Sequence, residues 1–225
     1  MTTITNEDCI DLMARYSNNH FDLAIVDPPY GIGKTWKKDV KSVFYHHDTD
    51  YKNETAPDKN YFDELFRVSK RQIIFGANYY SHFLAERNSY IVWDKIKTKR
   101  AIGSDCELAW TSFNKPMKIV HLAWDGFNTC CERYGKHPHE KPVLLYSWIL
   151  LNYAKPGWKI LDTHLGSGSL AIATQNMGFD LTACEINTKY FDDTMERIRK
   201  NDEQQFLFKK SELQDCAYSF FDEVV

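Results

Sequence analysis

The chain contains no C-x-x-C pair. Its six cysteines are Cys9, Cys106, Cys130, Cys131, Cys184 and Cys216, and the adjacent Cys130-Cys131 has poor spacing for zinc. We therefore expect no metal site and read the thiols as reduced, in an intracellular protein. No apolar run is long enough to span a bilayer. The opening Met1-Thr-Thr-Ile-Thr-Asn-Glu-Asp lacks the basic and apolar regions of a signal peptide. These absences point to a soluble, cytoplasmic chain with no membrane partner. An excess of positive charge is lacking as well: the net charge is −3, so any contact with phosphates must come from local patches. There is no internal repeat and no low-complexity segment.

What is present is ample apolar material and a regular alternation. Hydrophobic residues make up 43% of the 225 positions, enough to fill the core of one large domain. Short apolar runs predict strands over residues 3–5, 23–26, 72–75, 90–93, 106–113, 117–122, 160–161 and 181–184. Helical spacing predicts helices after Asp8, over 57–69, through Tyr79, Tyr80, Phe83 and Leu84, after Pro142 (Leu144, Leu145, Trp148, Ile149 and Leu151), over 170–177, and through Tyr190, Phe191, Thr194, Met195 and Ile198. Alternating strands and helices predict an α/β fold, Rossmann-like, with a mostly parallel doubly wound sheet.

Two strand ends carry chemistry. The run Leu23-Ala24-Ile25-Val26 stops at Asp27-Pro28-Pro29-Tyr30. Neither proline can donate to a ladder, so a carboxylate, stiff carbonyls and a ring are held at the strand's C-terminal end. Open α/β sheets bind ligands at that edge. An exocyclic amine on an aromatic base is a poor nucleophile, because its lone pair is delocalised. Two acceptors aimed at its N–H bonds draw the nitrogen toward tetrahedral geometry, and the Asp27 carboxylate and Pro28 carbonyl suit that task. Tyr30 offers a face for a base that has left its helix. Later, Ile160-Leu161 runs into Asp162-Thr163-His164-Leu165-Gly166-Ser167-Gly168, with Glu185 at the end of the following strand. That layout suits a nucleoside cofactor: glycines admit the ligand and the acid takes the ribose hydroxyls.

Asp27-Pro28-Pro29-Tyr30, His137-Pro138-His139-Glu140-Lys141-Pro142 and the Asp162…Gly166-Ser167-Gly168 turn together resemble the amino-methyltransferases of DNA. Within them the resemblance is to the adenine-N6 enzymes of the D-P-P-Y type. The catalytic strand precedes the cofactor turn, as in the permuted order called the β class. The likeness runs over about residues 3–200. It implies a methyltransferase fold with one antiparallel strand, S-adenosylmethionine as cofactor and DNA as partner. It assigns catalysis to Asp27, Pro28, Pro29 and Tyr30. Cofactor binding falls to Asp8, Asp27, Lys141, Asp162, Leu165, Gly166, Ser167, Gly168, Glu185 and Asn187, with Lys141 near the methionine carboxylate. The competing readings are cytosine N4 or RNA adenine as acceptor, and a non-catalytic binding module.

The chain departs from the family pattern at Thr163-His164, which replace a proline and an aromatic, and at Glu7, where a glycine is usual. It is also short. We expect one domain over 1–225, with only 114–136 for target recognition and a mobile loop at 34–56. Lys34, Lys37, Lys38 and Lys41, and the run from Lys95 through Lys97, Lys99 and Arg100, are the expected nucleic-acid contacts. The amphipathic tail beyond residue 201 suits either a homodimer contact or a helix packed on its own domain.

Overall fold

The structure is a computed structural model and describes residues 1–31, 55–96, 104–123 and 140–207. Its eight strands are β1 (Thr2–Thr5), β2 (Leu23–Val26), β3 (Gln72–Phe75), β4 (Tyr90–Asp94), β5 (Cys106–Thr111), β6 (Lys118–His121), β7 (Lys159–Asp162) and β8 (Asp180–Cys184). They form one sheet in the order β1-β8-β7-β2-β3-β5-β4-β6. All neighbours pair in parallel except β5, which is antiparallel to both β3 and β4. The expected mostly parallel sheet with one reversed strand is therefore the observed one. The helices are α1 (Cys9–Ala14), α2 (Lys59–Val68), α3 (Val143–Tyr153), α4 (Ser169–Met177) and α5 (Thr188–Leu207).

The middle of the sheet is buried on both faces, which is why β2 is an unbroken apolar run and β3 is apolar after Gln72. Side chains alternate across it. Ile25, Ile73, Phe75, Trp93 and Ile160 pack with Leu145 and Ile149 of α3, Leu170 of α4 and Ile198 of α5. Ala24, Val26, Ile74 and Leu161 face the other way, onto Leu12 and Met13 of α1 and Phe62 and Leu65 of α2. Each large apolar side chain so buried contributes about 1.5–3 kcal/mol. Asp58 caps α2 by accepting the Tyr61 N–H at 3.2 Å.

Two expectations need correction. Tyr79 to Leu84 do not form a helix. Gly76 ends β3 at φ +74°, and Tyr79 N–H donates to Gly76 O at 2.8 Å, Phe83 N–H to Tyr80 O at 2.9 Å. These are separate turns, because two rings are committed elsewhere: the Tyr80 hydroxyl to the Pro28 and Pro29 carbonyls, and Phe83 in a 4.9 Å stack on Phe62. In α3 the buried residues are Leu145, Tyr146, Ser147, Ile149, Leu150 and Tyr153. Leu144 and Leu151 are only half-buried, because the helix is covered by both sheet and α4 and has no single apolar stripe.

From β2 the chain crosses through α2 to β3 on one side; from β7 it crosses through α4 to β8 on the other. The order thus reverses between β2 and β7, and ligands of such sheets bind at that point, beyond the strand C-termini. Residues Leu23 and Ile160, and Ala24 and Leu161, are register partners there. Asp27 and Asp162 consequently end adjacent strands. Because β5 runs the other way, its first residues lie at this same edge, with Glu107 opposite Trp93. Of residues 114–136, Lys118–His121 form the edge strand β6; 124–136, like 34–54, lie outside the described residues. No helix among the described residues is long and apolar enough to cross a membrane.

Candidate active site

Asp27 is gripped from two sides. The Tyr30 hydroxyl donates to its Oδ1 at 2.6 Å, and the Lys141 ammonium pairs with Oδ2. The Tyr80 hydroxyl is shared between the carbonyl oxygens of Pro28, at 2.9 Å, and Pro29, at 2.6 Å. A carbonyl oxygen has two lone pairs, so each keeps acceptor capacity toward a ligand. The Tyr30 ring stacks on Tyr79 at 4.9 Å and 17°, so the exposed Tyr79 is the outer member of the aromatic pair. Burial, followed by the Asp27 charge, holds the Tyr30 phenol well above its ordinary pKa, so it stays a donor.

Lys141 is 4% exposed. It lies just before α3, whose N-cap is Pro142. Its nitrogen lies 3.2 Å from Glu107 Oε2 and 4.7 Å from the centre of the Phe75 ring. Burial opposes the charge, yet Asp27 and Glu107 together hold the ammonium above the ordinary lysine range. Glu107 in turn meets Lys95 at 2.6 Å. Burial would raise this carboxyl, but Lys141 and Lys95 keep it down at about 2. Lys95 is thus an internal partner, and the basic run expected to face phosphate loses its first member.

The second half of the site is the turn after β7. Glu185 directly follows β8 and accepts two backbone N–H groups, from Gly166 at 2.9 Å and from Asn187 at 2.9 Å. Each oxygen keeps a further lone pair. The Asn187 side chain accepts from Lys189 and Tyr190 N–H and so caps α5. Asp8 accepts from Ile10 N–H at 2.7 Å, capping α1. Glu7 pairs with Arg15 at 2.6 Å, which holds its carboxyl at about 2. Asp162 is 4% exposed, and burial, with Asp27 and Glu185 adding their charge, pushes it up to about 7. His164 is pushed down to about 4 by burial, so the imidazole is neutral. Tyr61, Thr163 and His164 form a hydrogen-bonded chain, at 2.7 and 2.9 Å. His164 is therefore tied to the protein by its Nδ1, an orienting arrangement.

Asp27, Asp162 and Glu185 thus end three neighbouring strands, and Asp27 and Asp162 have Lys141 as the cation acting on both. This surplus of buried negative charge fits a ligand that brings positive charge. S-adenosylmethionine carries a sulfonium and an ammonium, and the residues present suit it.

The structure gathers Asp27, Pro28, Pro29, Tyr30, Lys141, Asp162, Leu165, Gly166, Ser167, Gly168 and Glu185 along one sheet edge. Lys34, Lys37, Lys38, Lys41, Lys97, Lys99 and Arg100, with His137 to His139, lie outside the described residues. Sequence reasoning missed Tyr80 and Glu107. It also missed Thr194 and Arg197, which fix the glycine turn from α5. Thr194 Oγ1 donates to Gly166 O at 2.6 Å, and Arg197 to Ser167 O at 2.7 Å while pairing with buried Glu140 at 3.0 Å. Two of these had a signal: Glu107 is an acid opening an apolar strand, and Arg197 is a charge on an apolar helix stripe.

The chain is similar to known proteins over most of its length. The chain is 23% identical over 232 residues to the type II methyltransferase M.HpaI of Haemophilus parainfluenzae, covering 85% of this chain and 72% of that protein. To the DNA adenine methyltransferase YhdJ of Escherichia coli it is 24% identical over 244 residues, covering 87% and 82%. Among solved structures, the complex of M1.HpyAVI with SAM superposes with a TM-score of 0.56 at 19% identity, covering 88% of this chain and 100% of that one. The cytosine-N4-specific PvuII DNA methyltransferase gives 0.61 at 11%, covering 96% and 91%. These superpositions establish the fold. The model of the DNA methylase family matches residues 35–196, a span reaching from just beyond Asp27-Pro28-Pro29-Tyr30 through the glycine turn to α5, and the chain belongs to that family.

Proposed function

We propose that this chain transfers a methyl group from S-adenosylmethionine to the N6 amine of adenine in DNA. The observation that carries the reading is the placement of Asp27 at the end of β2, beside the glycine turn that ends β7. Acceptor and donor pockets then share one edge. S-adenosylmethionine supplies an electrophilic methyl group when bound. Glu185 would hold its ribose, the backbone of Gly166 to Gly168 would line its nucleoside portion, and Asp162 would face its positive charge.

The chain's own residues act on the acceptor. One N–H of the flipped adenine donates to the Asp27 carboxylate and the other to the Pro28 carbonyl. Tyr80 keeps that carbonyl pointed into the site, and the Tyr30–Tyr79 pair supplies an aromatic wall. With both hydrogens drawn away from the ring plane, the nitrogen lone pair is free for in-line attack. The amine so held by Asp27 and Pro28 would take the methyl group, the departing sulfur keeping the electron pair of its broken bond to carbon. The nitrogen then sheds one proton to Asp27, the base in contact with it, and from there to water. This is positioning and electrostatic work. The Asp at position 27, where cytosine-N4 enzymes of the family pattern have Ser, favours adenine. Lys34, Lys37, Lys38, Lys41, Lys97, Lys99 and Arg100 are the DNA contacts of this reading, through the phosphates.

The test is to incubate the protein with methyl-labelled S-adenosylmethionine and unmethylated genomic DNA, digest, and separate the nucleosides. Label in N6-methyladenine is expected. Label only in N4-methylcytosine, or only in an RNA acceptor offered in parallel, overturns the reading. Asp27→Ala is expected to abolish transfer while donor binding, measured by calorimetry, largely survives.

A further inference from the structure

At the acceptor corner four charges alternate in sign: Lys95, Glu107, Lys141 and Asp27. Lys95 meets Glu107 Oε1 at 2.6 Å, Glu107 Oε2 lies 3.2 Å from the Lys141 nitrogen, and that nitrogen rests on Asp27 Oδ2. The contacts are unequal. Lys141 is hydrogen-bonded to Asp27, whereas the buried Glu107 Oε2, although 3.2 Å from the same nitrogen, has no well-aligned hydrogen bond. A buried carboxylate oxygen beside an ammonium that is bonded elsewhere has capacity in reserve.

The chemistry gives that reserve a use. Asp27 must draw on the N–H of an incoming amine, but here the Tyr30 hydroxyl occupies Oδ1 and an ammonium occupies Oδ2. A carboxylate neutralised by a direct ammonium contact is a weaker acceptor. Simply releasing Lys141 would leave a buried cation unpaired, which is strongly unfavourable. Glu107 removes that cost, because the ammonium can turn from one carboxylate to the other within the same pocket, over the Phe75 ring. Lys95, itself 5.1 Å above the Trp93 ring, fixes the far oxygen of Glu107 so that the second anchor does not move.

We propose that Glu107 is a positioning residue for methyl transfer: it takes the Lys141 ammonium when the target amine engages Asp27. The inference rests on the role assigned to Asp27 above. It makes Glu107 act through Lys141 and not on the substrate.

Glu107→Gln tests it, assayed with methyl-labelled S-adenosylmethionine and unmethylated genomic DNA. The expected result is a kcat lower by about 10- to 100-fold, with donor affinity by calorimetry within about threefold of the parent. The split between these two readouts separates the role from a merely structural one, which would lower kcat and donor affinity together. Glu107→Asp keeps the charge but withdraws it, and its kcat should fall between the parent and Glu107→Gln. A folded Glu107→Gln with the parent's kcat, or one that loses kcat and donor affinity alike, overturns the proposal. If that variant does not fold, a parental kcat in Glu107→Asp overturns it instead. Should Asp27→Ala retain turnover, the reading of Asp27 fails; if Asp27→Ala is inactive and Glu107→Gln is parental, only the present inference fails.

Discussion

Replacing Gly76 with alanine adds one methyl group at the point where β3 meets the catalytic corner. Gly76 adopts φ +74°, and a Cβ there would lie 2.3 Å from Cε1 and 2.7 Å from Cδ1 of Tyr30. The left-handed conformation costs a side chain about 1–2 kcal/mol. Forcing a methyl group into a filled site costs about 1–3 kcal/mol more. The sum, about 2–5 kcal/mol, is within the total stability of a domain, so the variant should fold but melt lower. At about 2–4 °C per kcal/mol for a chain of this length, the fall should be readily measured by calorimetry. Function should suffer more specifically. Tyr30 must move, and with it go the hydroxyl on Asp27 and the stack on Tyr79. Single-turnover methyl transfer, run well below the melting transition, should slow by at least about tenfold, while donor affinity is kept. Gly168→Ala is the mirror experiment. Its Cβ would lie 2.5 Å from Thr194 Cγ2 at φ +77°, on the donor side, so it should weaken donor binding first. A Gly76→Ala protein with the parent's melting temperature and single-turnover rate would refute the reasoning, and so would an exchange of the two phenotypes.

Other consequences are open to direct measurement. Asp162, at about 7 against an ordinary 3.8, binds its proton more tightly in the folded state. Its favourable contribution is complete below pH 3.8 and is lost as pH rises through 7. Asp162→Asn should therefore gain stability on the parent across that window, by on the order of 4 kcal/mol above pH 7, and lose donor affinity; denaturant melts at pH 4 and pH 8 that show the same difference would contradict this. His164, at about 4, has the opposite slope: its contribution is present above pH 6.5 and disappears as the pH falls through 4. Arg197→Met takes the guanidinium away from buried Glu140 and from the Ser167 carbonyl. It should cost about 3–5 kcal/mol and weaken donor binding, and adding Glu140→Gln should restore part of the stability but not the binding; a double variant no more stable than Arg197→Met would argue against a buried pair.

Much of the fold was legible because its strands are short, apolar and bounded by breakers. Prolines 28 and 29 end β2, and the helices between strands force parallel pairing. The segment from Tyr79 to Leu84 was misread because its rings repeat at helical spacing for another reason. Tyr80 is held by two proline carbonyls and Phe83 by Phe62, contacts across long sequence separations that periodicity does not record. Lys95 was misread likewise. In sequence it opens a basic run, and in space it faces Glu107, because antiparallel pairing of β4 with β5 sets the two side by side.

The sequence by itself determined the chemistry on offer: an acid and two rigid carbonyls at one strand end, a glycine turn and an acid at two others, and a lysine before a helix. Local backbone rules suffice for that, since proline, glycine and apolar runs act over a few residues. Only the tertiary structure decided how these groups are charged and held. Asp27 and Asp162 became neighbours through the β2–β7 pairing, although 135 positions separate them. Lys141 came to lie between Asp27 and Glu107 because three strands and a helix start converge there. Electrostatic coupling depends on distance and burial, and neither is a property of position along the chain.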